Sequence, residues 1–324
     1  MKIKKIIPMV AFASISLSAM AQGQTLSSGI DLKNMDNSVR PQDDFFQYAC
    51  GGWMKNNPLP AAYSRYGSFD VLGEDNNKRI NGILTELLEK TYPAGTVERK
   101  LSDLYKLAMD EKRRDAEGVT PLKPILNKLE KAKSVKDLFA IQLSLIPYGD
   151  SEFFGLYIGA DQKNAKMNII NVMQGGTTLG QKEYYLDSDP ATVEIREAYK
   201  KHVVRMFKMF GFSEKAAEAK MKNVLKLETE LAKVSKSNTE LRDPEANYNK
   251  MTLDEFNKRY PNVQISKLLG ASGINPADAK EVVVGQTEFM AGADKLIASL
   301  TPAEYRDYME WGQIMSAAGY LSDE

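Results

Sequence analysis

The sequence is poor in the residues that make metal and nucleophile chemistry: 324 residues contain one His and one Cys. A lone Cys cannot close an internal disulfide, and one imidazole with one thiol cannot build a Cys/His zinc cluster. Net charge is also missing, with 43 basic against 43 acidic side chains, so no overall field draws in a polyanion and nucleic acid is excluded as a partner. A hydrophobic fraction of 43% with 27% charge is that of an ordinary globular chain, neither a disordered tail nor a multispan membrane protein. This length suffices for one large core or two domains, burying roughly three-quarters of the unfolded chain's surface.

Its first segment, MKIKKIIPMVAFASISLSAMAQ, has a positive start, a short apolar middle and the small-x-small site Ala19-Met20-Ala21. That pattern predicts a cleavable export signal over 1–21. The apolar run is too short for a comfortable membrane span, so no stable membrane anchor is expected. The expected location after cleavage near Ala21 is periplasmic or extracellular, an oxidising compartment in which a single Cys50 would be odd.

Residues 22–42 read as a polar, flexible lead-in. Over 43–75, aromatics alternate with Gly and Pro without clear helical or strand periodicity, which predicts an extended segment wrapped over a larger body. From 76 to 324 helical patterns dominate. Ile80, Ile83, Leu84, Leu87 and Leu88 form an apolar stripe, and Val97, Leu101, Leu104, Tyr105 and Ala108 repeat it. Ser134 with Asp137, Thr252 with Glu255 and Thr301 with Glu304 have capping-box spacing. Long helices are expected near 190–210 and 213–237, separated by Gly211. Two apolar runs, Phe153–Gly159 and Met167–Met173, predict one β-hairpin, and a short strand fits Val282–Val284. The fold class is therefore mainly α: a multi-helix lobe with one small β-hairpin.

Candidate chemistry is sparse. His202, in YKKHVVRMF, lacks the second His four residues on that a zinc-protease helix requires, and reads as an ordinary surface or groove histidine. The Gly-rich stretch Gln174–Gly180 has no preceding parallel strand and no Lys-Ser/Thr follow-on, so it reads as a flexible turn and not a phosphate loop. In Ser64-Arg65-Tyr66-Gly67-Ser68-Phe69-Asp70, Arg65 is either a plain surface cation or a planar fork for a carboxylate.

The stretch DDFFQYACGGWMKNNPLP followed by SRYGSFDVL resembles the start of the ectodomain in neprilysin-type zinc metalloendopeptidases, which include the endothelin-converting enzymes. KEYYL at Lys182–Leu186, TELRDPEANYNKMTLDEF at Thr239–Phe256 and YMEWGQIMSAAGYLSD near the end resemble that family's helical N-terminal lobe, in the family's order.

The resemblance implies a secreted or membrane-anchored endopeptidase that cuts peptides, commonly on the amino side of hydrophobic residues. In such enzymes a thermolysin-like catalytic lobe faces a helical lobe that restricts substrate size, and the first segment packs on the catalytic lobe. By the same resemblance, Arg65 matches an arginine that binds the substrate's carboxylate, Asp70 a neighbouring acid that orients it or touches substrate, and Cys50 a cysteine paired near the family's C-terminus. The family's H-E-x-x-H helix and later Glu ligand do not occur in this sequence. Zinc is thus expected only in a complete enzyme, and this chain's expected partners are a peptide substrate and the catalytic lobe of its own full-length protein. A second reading stays open: a stand-alone, secreted, non-catalytic module that binds peptides or inhibits a partner.

Overall fold

Capping boxes organise much of the helical architecture in the computed structural model, which describes residues 29–148 and 153–323. The predicted export signal lies outside them. The chain divides into two compact units, one ending at Ser102 and the other beginning at Asp103.

The first unit holds a 3-10 turn at Leu32–Asn34, then α1 (Phe45–Asn56), α2 (Ser68–Leu88) and the start of α3 (Val97–Ala108). Helix α1 departs from the extended segment expected here. Asp44 caps it by accepting from the Gln47 N–H at 2.9 Å. The Gly51-Gly52 pair that blurs its helical pattern is there for a close approach. A Cβ on Gly52 would lie 2.4 Å from the Lys33 carbonyl oxygen and 2.7 Å from that of Met35. Helix and 3-10 turn can therefore meet only without a side chain at this point. The Asp36 N–H donates to the Tyr48 carbonyl at 2.8 Å and completes the join, so part of the stretch read as a flexible lead-in is fastened to α1.

The apolar stripe of α2 is present, but no residue of α2 is buried. Phe69 is 88% exposed and Leu72 65%. Val97, Leu101, Leu104 and Leu107 of α3 are exposed as well.

The second unit continues with α4 (Glu111–Glu117), α5 (Lys123–Lys131), α6 (Val135–Leu145), α7 (Glu183–Leu186), α8 (Pro190–Met209), α9 (Glu214–Val234), α10 (Leu253–Arg259), α11 (Ile265–Ala271), α12 (Thr287–Ser299) and α13 (Pro302–Ala318). The boxes at Ser134/Asp137, Thr252/Glu255 and Thr301/Glu304 all close in both directions. Gly211, between α8 and α9, has φ +94°, a conformation that suits glycine. Helix α9 packs against α8, α12 and α13.

The hairpin belongs to a larger sheet than its sequence suggests. Strands β1 (Phe154–Asp161) and β2 (Asn164–Gln174) pair antiparallel. Along its other edge β2 pairs parallel with β4 (Glu281–Val284), which pairs antiparallel with β3 (Asn249–Thr252). The order is β1-β2-β4-β3, a four-stranded mixed sheet. One buried cluster joins sheet and helices through Leu138, Val172, Leu231, Phe256, Val282 and Phe289. A second surrounds Phe207, Val224, Trp311 and Ile314 between α8, α9 and α13.

Candidate functional site

Helix α1, the start of α2 and the segment between them carry the residues singled out by sequence. Three rings gather there: Tyr63 meets Tyr66 edge-on with centroids 5.1 Å apart, and Trp53 lies 6.1 Å from Tyr66. The Tyr66 hydroxyl donates to Glu74 Oε2 at 3.1 Å, tying the loop to the second turn of α2. Burial first, then this bond, holds the Tyr66 phenol above its ordinary pKa.

Between these two tyrosines the Arg65 side chain is exposed, and among the described residues it has no ion-pair partner. Asp70 is half-buried at the third position of α2, where its Oδ2 accepts the Gly67 N–H at 2.8 Å. Its carboxylate thus fixes the helix start and forms no ion pair with Arg65. Such an arrangement leaves a free guanidinium on an aromatic-braced loop, a fork suited to a carboxylate. Cys50, half-buried on α1, is a free thiol.

Two buried polar constellations escaped the sequence reading. Glu228 on α9 is 1% exposed and gathers four donors. Its Oε1 accepts from the Thr178 N–H at 3.0 Å and Oγ1 at 2.6 Å, and its Oε2 from the hydroxyls of Tyr185 at 3.1 Å and Tyr199 at 2.7 Å. Burial pushes the Glu228 carboxyl up, against the hydrogen bonds that favour its charge. Trp311 Nε1 donates to Thr178 Oγ1 at 2.9 Å, and the Tyr308 hydroxyl to the Gly176 carbonyl. The Gly-rich stretch is consequently pinned in place and is not the free turn expected. Tyr185 of KEYYL, and Tyr308 and Trp311 of the YMEW segment, are used here for architecture.

In the second constellation, Lys220 on α9 donates to Asp307 Oδ1 at 2.8 Å and to Glu310 Oε2 at 2.6 Å, both on α13. Asn223 donates to Asp307 Oδ2 at 2.7 Å. Burial raises the Glu310 carboxyl to about 7, with Asp307 and Glu130 adding to the rise and Lys220 opposing it. The available sequence clue in both cases was an acid inside an apolar stripe: Glu228 among Val224, Leu227 and Leu231, and Asp307 and Glu310 among Tyr305, Tyr308 and Trp311.

His202 is half-buried, edge-on to Trp311 with centroids 6.0 Å apart, and its Nδ1 lies 3.1 Å from Arg205 Nη2. Burial and the neighbouring Arg205 hold its pKa below the ordinary value. Among the described residues no group of three or more His, Cys, Asp or Glu side chains is arranged to hold a metal ion. This donor set does not fit a catalytic zinc, which needs three protein ligands around an open position.

The family model described as peptidase family M13, for its N-terminal domain, matches residues 41–324. The chain belongs to peptidase family M13. Rat endothelin-converting enzyme 1 is 31% identical to this M13 chain over 300 residues, 90% of this chain and 39% of that protein. Rat endothelin-converting enzyme-like 1 is 27% identical over 303 residues, again covering 39% of its length. Among solved structures, the Mycobacterium tuberculosis zinc metalloprotease Zmp1 in complex with inhibitor superposes with a TM-score of 0.83 at 26% identity, over 91% of this chain and 45% of that one. PepO from Lactobacillus rhamnosis shares the fold with a TM-score of 0.71. This M13 chain therefore spans about two-fifths of the curated relatives it matches, and it is homologous to the N-terminal domain of M13 zinc metalloproteases.

Proposed function

We propose that this chain is the N-terminal, substrate-gating part of an exported zinc metalloendopeptidase that hydrolyses peptides. The observation that carries the reading is the coverage: nine-tenths of this chain aligns with 39% of the relatives' length. The zinc site and the catalytic lobe then come from sequence beyond the residues described here, and this chain alone is inactive. In the complete enzyme, zinc supplies a Lewis acid and an activated water.

The exposed apolar side chains of the first unit support the reading. Phe45 and Phe46 on α1, with Phe69 and Leu72 on α2, are surface that soluble domains ordinarily cover. A catalytic lobe of the same protein is the proposed cover. Arg65 takes the carboxylate on the C-terminal side of the peptide, Asp70 sets the helix start that aims the loop, and Cys50 pairs with a cysteine of that lobe. After removal of residues 1–21 the protein acts in the periplasm or outside the cell. Among the described residues no helix is long and apolar enough to cross a membrane.

The test is to read the source gene past the codon for Glu324, then assay this chain and the gene's full product with zinc on a quenched fluorescent peptide. An open frame carrying H-E-x-x-H and a further cysteine, with activity confined to the longer product, is the expected result. An immediate stop codon, or peptide cleavage by the 324-residue chain itself, overturns it.

A further inference from the structure

A groove of about 850 Å³ runs between α8 and α9, within the second unit. Its lining is unbalanced, with five cations against the carboxylates Glu197 and Glu218, in a chain whose overall charge is zero. Two of the cations are already engaged. Lys200 pairs with Glu197 at 2.7 Å and Lys208 with Glu214 at 3.1 Å. Lys201, Arg205 and Lys222 have no carboxylate within ion-pair distance among the described residues, and all three are exposed.

Between them Val204, Met209 and Met221 provide an apolar floor. We infer that this groove docks an extended peptide segment in which carboxylate and apolar side chains alternate. Spacing supports that occupant. Lys201 and Arg205 stand four residues apart on one helix face, a rise of about 6 Å. Alternate side chains of an extended peptide are separated by about 6.6 Å, so successive carboxylates reach successive cations. The side chains between them point the other way, toward the α9 side of the groove, where Met221 adapts to different apolar groups.

Arg205 is also held for the task. Its Nη2 lies 3.1 Å from His202 Nδ1, and the imidazole is itself set against Trp311. A neutral imidazole accepts that hydrogen bond and points the guanidinium without consuming its charge. The apolar side chains set among the cations favour this occupant over an anionic membrane surface, which the cations alone would serve. The inference concerns binding by this chain alone and stands or falls separately from the peptidase reading.

The experiment titrates the full chain into a fluorescein-labelled, C-terminally amidated Glu-Leu-Glu-Leu-Glu-Leu peptide and follows anisotropy. Amidation removes the end carboxylate that Arg65 would claim. Binding should be at least about tenfold tighter than to the Ser-Leu counterpart and should weaken as salt is raised. Lys201→Glu with Arg205→Glu should lower affinity by at least about tenfold, and Lys201→Gln with Arg205→Gln by an intermediate amount. Lys112→Glu with Lys166→Glu, on α4 and on β2, should leave it within about twofold. The substituted side chains are exposed, and melting curves check that each variant folds. Equal affinity for both peptides, or full affinity in the Lys201/Arg205 pair, overturns the inference. So does co-sedimentation with phosphatidylglycerol vesicles through these cations while the acidic peptide fails to bind.

Discussion

Lys220 and Glu310 form a 2.6 Å ion pair between α9 and α13, and the other oxygen of Glu310, Oε1, is buried without a partner. A buried carboxylate with one oxygen unpaired resists ionisation, and burial places its pKa at about 7. Lys220 responds in the opposite sense. Burial disfavours its charge, but Glu310 and Asp307 hold its pKa above the ordinary value.

Glu310 therefore dictates a pH dependence of stability with a definite sign. Its folded pKa stands above the unfolded value of about 4.5, so the native state binds the extra proton between the two. The contribution of Glu310 is full below pH 4.5 and is lost as pH rises from there through about 7, about 3 kcal/mol for that shift. Glu310→Gln should flatten the profile across this window. Melting temperatures from pH 4.5 to 8 check it, and an unchanged slope in the variant counts against the assignment.

Glu304 should work the other way. Hydrogen bonds from Lys226 and Thr301 depress its pKa to about 2. Its contribution is present above the unfolded value and is lost as pH falls from about 4.5 to about 2. Glu304→Gln should remove that acid-side loss in urea titrations at pH 2 to 5.

Glu228 holds two helices and the Gly-rich stretch together, and its removal strands several donors. Glu228→Ala should cost about 3 kcal/mol, because the Tyr185 and Tyr199 hydroxyls and the Thr178 N–H lose their acceptor in the interior. Glu228→Gln keeps an acceptor and should cost less. Urea unfolding ranks the two, and the reverse order would remove Glu228 as the organising acceptor.

Gly52→Ala tests the contact between α1 and the Leu32–Asn34 turn. The added methyl meets backbone oxygens that cannot swing aside, with an expected cost of about 1–3 kcal/mol confined to the first unit. Hydrogen exchange should show faster opening over 30–56 and unchanged protection in α9 and α13.

Arg65→Ala, made in the complete enzyme, should raise KM for short free-acid peptides by about tenfold or more, the worth of a charge-assisted hydrogen bond. Amidated peptides should be nearly unaffected. Equal effects on both peptide types would deny Arg65 a carboxylate-binding role.

Local signals in the sequence were legible where one short pattern decides the outcome. Ser134, Thr252 and Thr301 each sit three residues before an acid and each opens a helix. The hairpin was legible for the same reason, as two apolar runs around a polar turn. Strand β3 was not, because Asn249-Lys250-Met251-Thr252 has almost no apolar content, and its strand character comes from pairing with β4. Helix α1 was hidden by the glycines its packing requires. The Glu228 and Glu310 networks depend on partners brought from distant helices, which spacing within one helix does not reveal. Arg65 and Cys50 stood out locally, one as a cation among aromatics and the other as an odd thiol, but their expected roles came only with the family resemblance, since both depend on groups outside this sequence.

The parallel join between β2 and β4 has a kinetic consequence. Ile170, Asn171 and Val172 find their partners at Val282, Val283 and Val284, on the order of a hundred residues later in the chain. The hairpin can form as soon as it is made, but until β4 arrives one edge of β2 presents open hydrogen-bonding groups and exposed apolar side chains. Chains caught in that interval are the ones most exposed to mispairing with one another, and the slow step in folding this domain should be closure of that seam.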